Sequence, residues 1–246
     1  MKGKNAPNNK VNHTILRKKK ILFGHQSVGM NIMEGMKALT SGNPLPIIME
    51  LDINKPQLND PGFYHTRLGS NFDPASKIIA FSKLIHDLKK NQPDIAFFKF
   101  CYVDIKDHTK VTEVAEKYAE TMTDLEKSFP EIRFIHFTVP LRSHRKGLKV
   151  MVKKLLNVPE PNYLENIKRQ EYNDLIREKY SERGYLFDIA GLESQDKNKS
   201  REKHDYKGKR FETMRQEYTS DGGHLNTEGS KYIANELLHF LENKLK

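Results

Sequence analysis

Dense apolar runs alternate with amphipathic stretches along most of this chain. Lys20 to Gly24 reads as a buried strand, and from Ser27 to Leu39 the residues Val28, Ile32, Met36 and Leu39 recur at helical spacing. Pro46 to Leu51 follows as a second strand. The stretch from Asp52 to Asp73, rich in Pro, Asn and Gly, carries no clear period and reads as a long loop, of the kind compact domains keep chiefly for function. Pro74 suits the first turn of a helix with Asp73 as N-cap, and Ile78, Phe81, Leu84, Ile85 and Leu88 form its apolar stripe. Asp94 to Tyr102 is apolar almost throughout, as a parallel strand covered on both faces should be. A helix over Thr112 to Ser128 and a strand over Arg133 to Val139, stopped by Pro140, come next. Asn162 to Arg183 is then helical, with Gly184 placed to end it. A fifth strand, Tyr185 to Ile189, precedes a last helix over Asn226 to Lys244, which turns Ile233, Leu237, Leu238 and Leu241 inward.

Such alternation predicts an α/β fold of three layers, with a mostly parallel five-stranded sheet between helices. Residues 1–19, without periodicity, read as a flexible basic N-terminal arm. Residues 20–246 read as one domain with loop excursions near 52–73, 142–161 and 192–220.

Composition narrows the function classes. Forty-two Lys and Arg against 32 Asp and Glu give a formal charge of +10, which draws anionic ligands by long-range attraction. The basic residues lie in scattered runs without aromatic interleaving, so no nucleic-acid partner is expected. The one cysteine, Cys101, sits inside an apolar run and reads as a buried structural thiol. No stretch approaches the roughly 20 apolar residues of a membrane span. The opening MKGKNAPNNK has no apolar core for a signal peptide. The expectation is a soluble chain, cytoplasmic as it stands, or secreted or periplasmic if a leader has been removed. No glycine-rich phosphate loop or metal-ligand spacing is apparent, and neither a metal nor an organic cofactor is expected.

Open parallel sheets place their sites at the carboxyl ends of strands. After the first strand comes Gly24-His25-Gln26-Ser27-Val28-Gly29, a serine opening a helix, where backbone N–H groups and the helix dipole can face a developing oxyanion. Just before the last helix stands Asp221-Gly222-Gly223-His224, and an acid three residues ahead of a histidine can fold back to hold its Nδ1–H. Each motif alone is also an ordinary helix cap or turn.

Together they resemble the SGNH/GDSL hydrolases, whose serine follows the first strand and whose closing motif is Asp-x-x-His before the last helix. The resemblance covers roughly Lys20 to Leu245, although only short motifs carry it. It implies a flavodoxin-like fold and ester hydrolysis through an acyl-enzyme, with Ser27, Asp221 and His224 catalytic. An oxyanion hole would form from Ser27 and, at the family's second block, Gly69 in Leu68-Gly69-Ser70-Asn71. The first block departs from Gly-Asp-Ser, because His25 and Gln26 separate Gly24 from Ser27. Where the third block has Gly-x-Asn-Asp, this chain reads Cys101-Tyr102-Val103-Asp104, so the usual asparagine is missing. Asn71 is the candidate substitute, and Asp104 either meets substrate, holds a loop or caps the following helix. His25 either shapes the leaving-group pocket or satisfies the widened turn. His65, Arg67, Arg142, His144 and Arg145 lie on long loops near the same edge and either recognise a polar or anionic substrate or are solvated surface. The implied substrate is a small-molecule or glycan ester, an O-acetyl ester foremost. The alternatives are a catalytically degenerate relative that binds a glycan or an acidic partner, and a nucleotide or flavin binder on the same sheet.

Overall fold

The computed structural model describes residues 14–39, 45–144 and 161–245. Its first strand, β1 (Lys20–His25), follows a short 3-10 turn whose Leu16 is buried, so ordered structure begins ahead of Lys20. The expectation of an arm over the first 13 residues, and Arg145, lie outside the described residues. Helix α1 (Val28–Leu39) is followed by β2 (Ile48–Glu50) and β3 (Gly62–Arg67). Then come α2 (Pro74–Asp87), β4 (Ile95–Phe98), α3 (Val111–Ser128) and β5 (Arg133–Phe137). The chain closes with α4 (Pro161–Tyr180), β6 (Leu186–Phe187), α5 (Ile189–Ser194), a hairpin of β7 (Lys203–Tyr206) and β8 (Lys209–Glu212), and α6 (Thr227–Asn243).

The α/β class and the parallel sheet are as expected, but the sheet has six strands rather than five, in the order β2-β3-β1-β4-β5-β6. All its pairings are parallel. The extra strand is β3, inside the stretch read as a loop. It pairs with β1 along its whole length, from Lys20 with Gly62 to His25 with Arg67. The excursion near 192–220 likewise contains the antiparallel β7–β8 hairpin.

Alternation along each strand divides the core into two faces. Ile21, Phe23, Ile95, Phe97, Ile135 and Phe137 point to the side of α1 and α6. Leu22, Ala96, Phe98 and Phe134 point to the side of α2, α3 and α4. Gly35 lets α1 and α6 meet at the backbone, since a Cβ there would lie 2.1 Å from the carbonyl oxygen of Ser230. This close crossing joins the helix that follows the first strand to the helix that ends the chain. Among the described residues, no helix is long and apolar enough to cross a membrane.

Candidate active site

The strand order reverses at β1: β2 and β3 lie on one side of it, β4 to β6 on the other. Open parallel sheets bind ligands at such a reversal, outside the carboxyl ends of their strands. Ser27 stands there, half-buried, in the turn between β1 and α1. Its φ of +48° lies in the left-handed region, which non-glycine residues enter only when their surroundings hold them.

His224 meets it from the other end of the sequence. Ser27 Oγ lies 2.8 Å from His224 Nε2, and His224 Nδ1 lies 2.6 Å from Asp221 Oδ2. The other Asp221 oxygen accepts the backbone N–H of Gly223 and of His224, each at 2.8 Å. Partial desolvation works to raise the Asp221 carboxyl, but the His224 side chain and these two N–H donors outweigh it and hold the group well below the usual carboxylate range. The side chains of His224 and Asp221 are 44% and 57% exposed, so the pair lies open to solvent.

Both glycines of the motif have a geometric reason. Gly222 has φ +86°, and its carbonyl accepts Ser143 N–H at 3.0 Å and Arg142 Nε at 3.4 Å. Gly223 leaves room for Tyr102, whose phenol would lie 2.8 Å from a Cβ at that position. The Tyr102 ring meets the His224 ring edge-on at 5.8 Å, with the Arg142 guanidinium 5.4 Å from the Tyr102 centroid on another side. Arg169, buried in α4, donates from Nε to the Tyr102 carbonyl at 2.8 Å. The backrest of His224 is thus fixed from the opposite layer of the molecule.

Gln26 ties the serine turn to the next loop, donating from Nε2 to the Gly69 carbonyl at 2.9 Å. Gly69 has φ +55°, and a Cβ would lie 2.7 Å from Lys77 N, so a side chain is disfavoured twice. Among the described residues, no hydrogen bond occupies the N–H of Ser27 or of Gly69. Asn71 is exposed, and its Oδ1 accepts from Lys77 Nζ at 3.1 Å, which leaves its amide nitrogen available.

Four expected substrate contacts, His25, His65, Asp104 and His144, lie elsewhere. His25 and His65 are buried side by side, Nε2 to Nδ1 at 3.1 Å, beneath α1 rather than in the crevice. Burial, with Lys99, His65 and Arg67 nearby, pushes the His25 imidazole down to about 3. Asp104 is buried too and braces a loop: it accepts Lys77 Nζ at 2.5 Å, Cys101 N–H at 2.6 Å and Phe72 N–H at 2.9 Å. Arg67 is exposed at the end of β3. His144 turns toward Tyr163 and His204, with ring centroids 5.0 and 5.1 Å away. Arg142 does lie beside the His224 loop.

The sequence reading also missed two buried lysines. Lys77 pairs with Asp104, whereas Lys99 reaches the serine turn, donating from Nζ to the Gln26 carbonyl at 3.1 Å. Cys101, buried as expected, has its Sγ 3.4 Å from the same oxygen. Lysine is the residue type least expected inside, so only the unbroken apolar run around Lys99 could have flagged it.

Fold and crevice together define a three-layer α/β protein with a Ser-His-Asp chain of contacts at the carboxyl edge of its sheet. No protein-family model and no curated protein matches this chain. Among solved structures, a Streptococcus pneumonia protein provisionally described as a platelet activating factor superposes with a TM-score of 0.52 at 14% identity, covering 96% of this chain and 87% of that one. At that identity the likeness speaks to the fold alone. A Desulfitobacterium hafniense DCB-2 protein, provisionally described as lipolytic and of the G-D-S-L family, has a TM-score of 0.47 at 9% identity, covering 90% and 99%. The CTD of the Drosophila Oskar protein has 0.44 at 10% identity, covering 96% and 98%.

Proposed function

We propose that this protein is an SGNH-type serine esterase that cleaves an O-acyl ester of a polar or carbohydrate substrate, with acetyl as the acyl group. The reading is carried by the contact between Ser27 Oγ and His224 Nε2, 2.8 Å across residues 197 positions apart. Ser27 attacks the acyl carbon while His224 takes its proton, and Asp221 fixes the tautomer and stabilises the imidazolium. The N–H groups of Ser27 and Gly69, with the Asn71 amide, receive the oxyanion. His224 then protonates the departing alcohol, and water repeats the sequence on the acyl-enzyme. No step calls on a cofactor. The openness of His224 and Asp221 favours a short acyl group on a large polar alcohol over a lipid chain that would need a roof. Arg142 beside the same loop favours polar substrates.

The missing third-block asparagine supports a second reading, a non-catalytic relative that binds a glycan or an acidic partner. Two measurements separate them. Wild type should hydrolyse a short-chain aryl ester and be labelled at Ser27 by a fluorophosphonate, and Ser27→Ala should do neither. Equal background rates in both proteins, with Ser27 unlabelled, would leave only the binding reading.

A further inference from the structure

We propose that Lys99 is the positioning residue of this site, holding the Gln26–Ser27 peptide so that Ser27 N–H faces the developing oxyanion; this rests on the hydrolase reading above. Lys99 follows β4 directly and is 1% exposed. Its ammonium points at the Gln26 carbonyl at 3.1 Å, with the Phe100 carbonyl at 3.4 Å and Cys101 Sγ at 3.7 Å. The same Gln26 oxygen accepts Gly29 N–H at 3.0 Å and lies 3.4 Å from Cys101 Sγ. Three donors therefore converge on one carbonyl.

A peptide plane has two ends. In a trans peptide the C=O and the following N–H point in opposite directions, so pinning the Gln26 oxygen inward turns Ser27 N–H outward. That N–H has no acceptor among the described residues. The left-handed φ of Ser27 needs such a restraint, because a free peptide would rotate to relieve it.

The choice of an ammonium adds a second effect. A cation on the carbonyl oxygen draws electron density from the amide and makes its N–H a stronger donor. It also sets positive charge beneath the point where negative charge forms, in a poorly screened interior. Lys77, the other buried lysine, has Asp104 to neutralise it at 2.5 Å. Lys99, among the described residues, has no carboxylate within salt-bridge distance and bonds only to carbonyls and sulfur. An ammonium so placed, with no carboxylate in contact, is a poor device for stability. Burial lowers its pKa, and Asp104 and Glu193 farther off offset only part of that cost.

The test is Lys99→Met, which keeps the length and removes the donor. Turnover of a short-chain aryl ester, inhibition by an alkylboronic acid that forms a tetrahedral adduct on Ser27, and the thermal midpoint are measured together. The positioning role predicts kcat lower by on the order of 10²-fold and boronate affinity lower by a similar factor. KM should change little, and the midpoint should hold or rise, because an apolar side chain replaces a buried charge. Unchanged kcat and boronate affinity overturn the proposal, as does a loss of activity that merely follows a lowered midpoint. If Lys99→Met does not fold, the wild type decides by amide NMR. The Ser27 N–H should exchange freely in the unliganded protein and move downfield in the boronate adduct, and an unmoved resonance overturns the role. A wild type with neither turnover nor boronate affinity defeats the hydrolase reading itself, whereas an active wild type matched by Lys99→Met removes only the lysine.

Discussion

Asp221 divides its two oxygens between shape and chemistry: Oδ1 closes the loop on the N–H groups of Gly223 and His224, and Oδ2 holds the imidazole. Asp221→Asn separates these duties. An amide can keep accepting at Oδ1, but its NH2 cannot accept from Nδ1–H, so the ring is driven to the tautomer that carries a proton on Nε2 and cannot act as base. We expect kcat to fall by on the order of 10⁴-fold with the circular dichroism spectrum unchanged; activity near wild type would remove Asp221 from the mechanism. Ser27, Asp221 and His224 stood out in the sequence as candidates because each lies where a strand or loop passes into a helix, punctuated by glycines, and the fold brings the three into contact. His25, left open between a pocket role and a role in the turn, was harder to read. A polar residue beside a nucleophile looks like part of a site, yet strand alternation turns its ring inward, against Phe23 at 4.9 Å and His65 at 5.3 Å.

At the scale of elements, α4 supports the site through side chains that imitate a neighbouring strand. Asn173 accepts Val139 N–H at 2.6 Å and donates to the Val139 carbonyl at 3.0 Å. Two turns earlier on the same face, Asn166 does the same for Arg142, at 3.1 and 2.7 Å. The segment after β5, having lost its strand partners, thus keeps its hydrogen bonds and delivers Arg142 and Ser143 to the Gly222 carbonyl. Asn173→Ala leaves a buried N–H and C=O unpaired, and each such group costs about 1–3 kcal/mol. We expect a stability loss of about 2–4 kcal/mol in equilibrium urea unfolding, and a loss well below 1 kcal/mol would mean that water replaces the side chain. Neither this clamp nor β3 could be read from periodicity. β3 follows Phe63 and Tyr64 with His65 and Thr66, all buried, and is flanked by Pro and Gly, so its composition imitates a loop. β1, β4 and β5 were legible because their apolar runs match the two covered faces that a parallel sheet demands, whereas β2 and β6, at the two edges, are shorter and only partly buried.

For the whole molecule, the buried titratable groups set opposing limits on stability. The His25 imidazole is pushed down to about 3 from an ordinary 6.5, foremost by burial. Between those values the unfolded chain binds a proton that the folded one does not, so His25 costs stability as pH falls below 6.5. Burial likewise lowers His65 and His136, which steepens the same acid limb. Glu193 behaves in the reverse sense. Burial raises it from 4.5 to about 8, against the opposing pull of Leu141 N–H, Lys99 and Arg169. The folded state therefore holds a proton that the unfolded state releases above 4.5, and stability falls as pH climbs toward 8. For His25 and Glu193 the two slopes cancel between 4.5 and 6.5, while from 6.5 to 8 Glu193 acts without that compensation, shifting the folding equilibrium by about tenfold per pH unit. We expect thermal midpoints that peak in mildly acidic buffer and decline toward pH 8. Glu193→Gln, which copies the protonated acid and retains an acceptor for Leu141 N–H, should flatten the alkaline decline and leave the acid limb in place. His25→Gln should flatten only the acid limb. If Glu193→Gln instead keeps the wild-type slope between pH 6.5 and 8, Glu193 is already ionised there, and the alkaline decline belongs to another group.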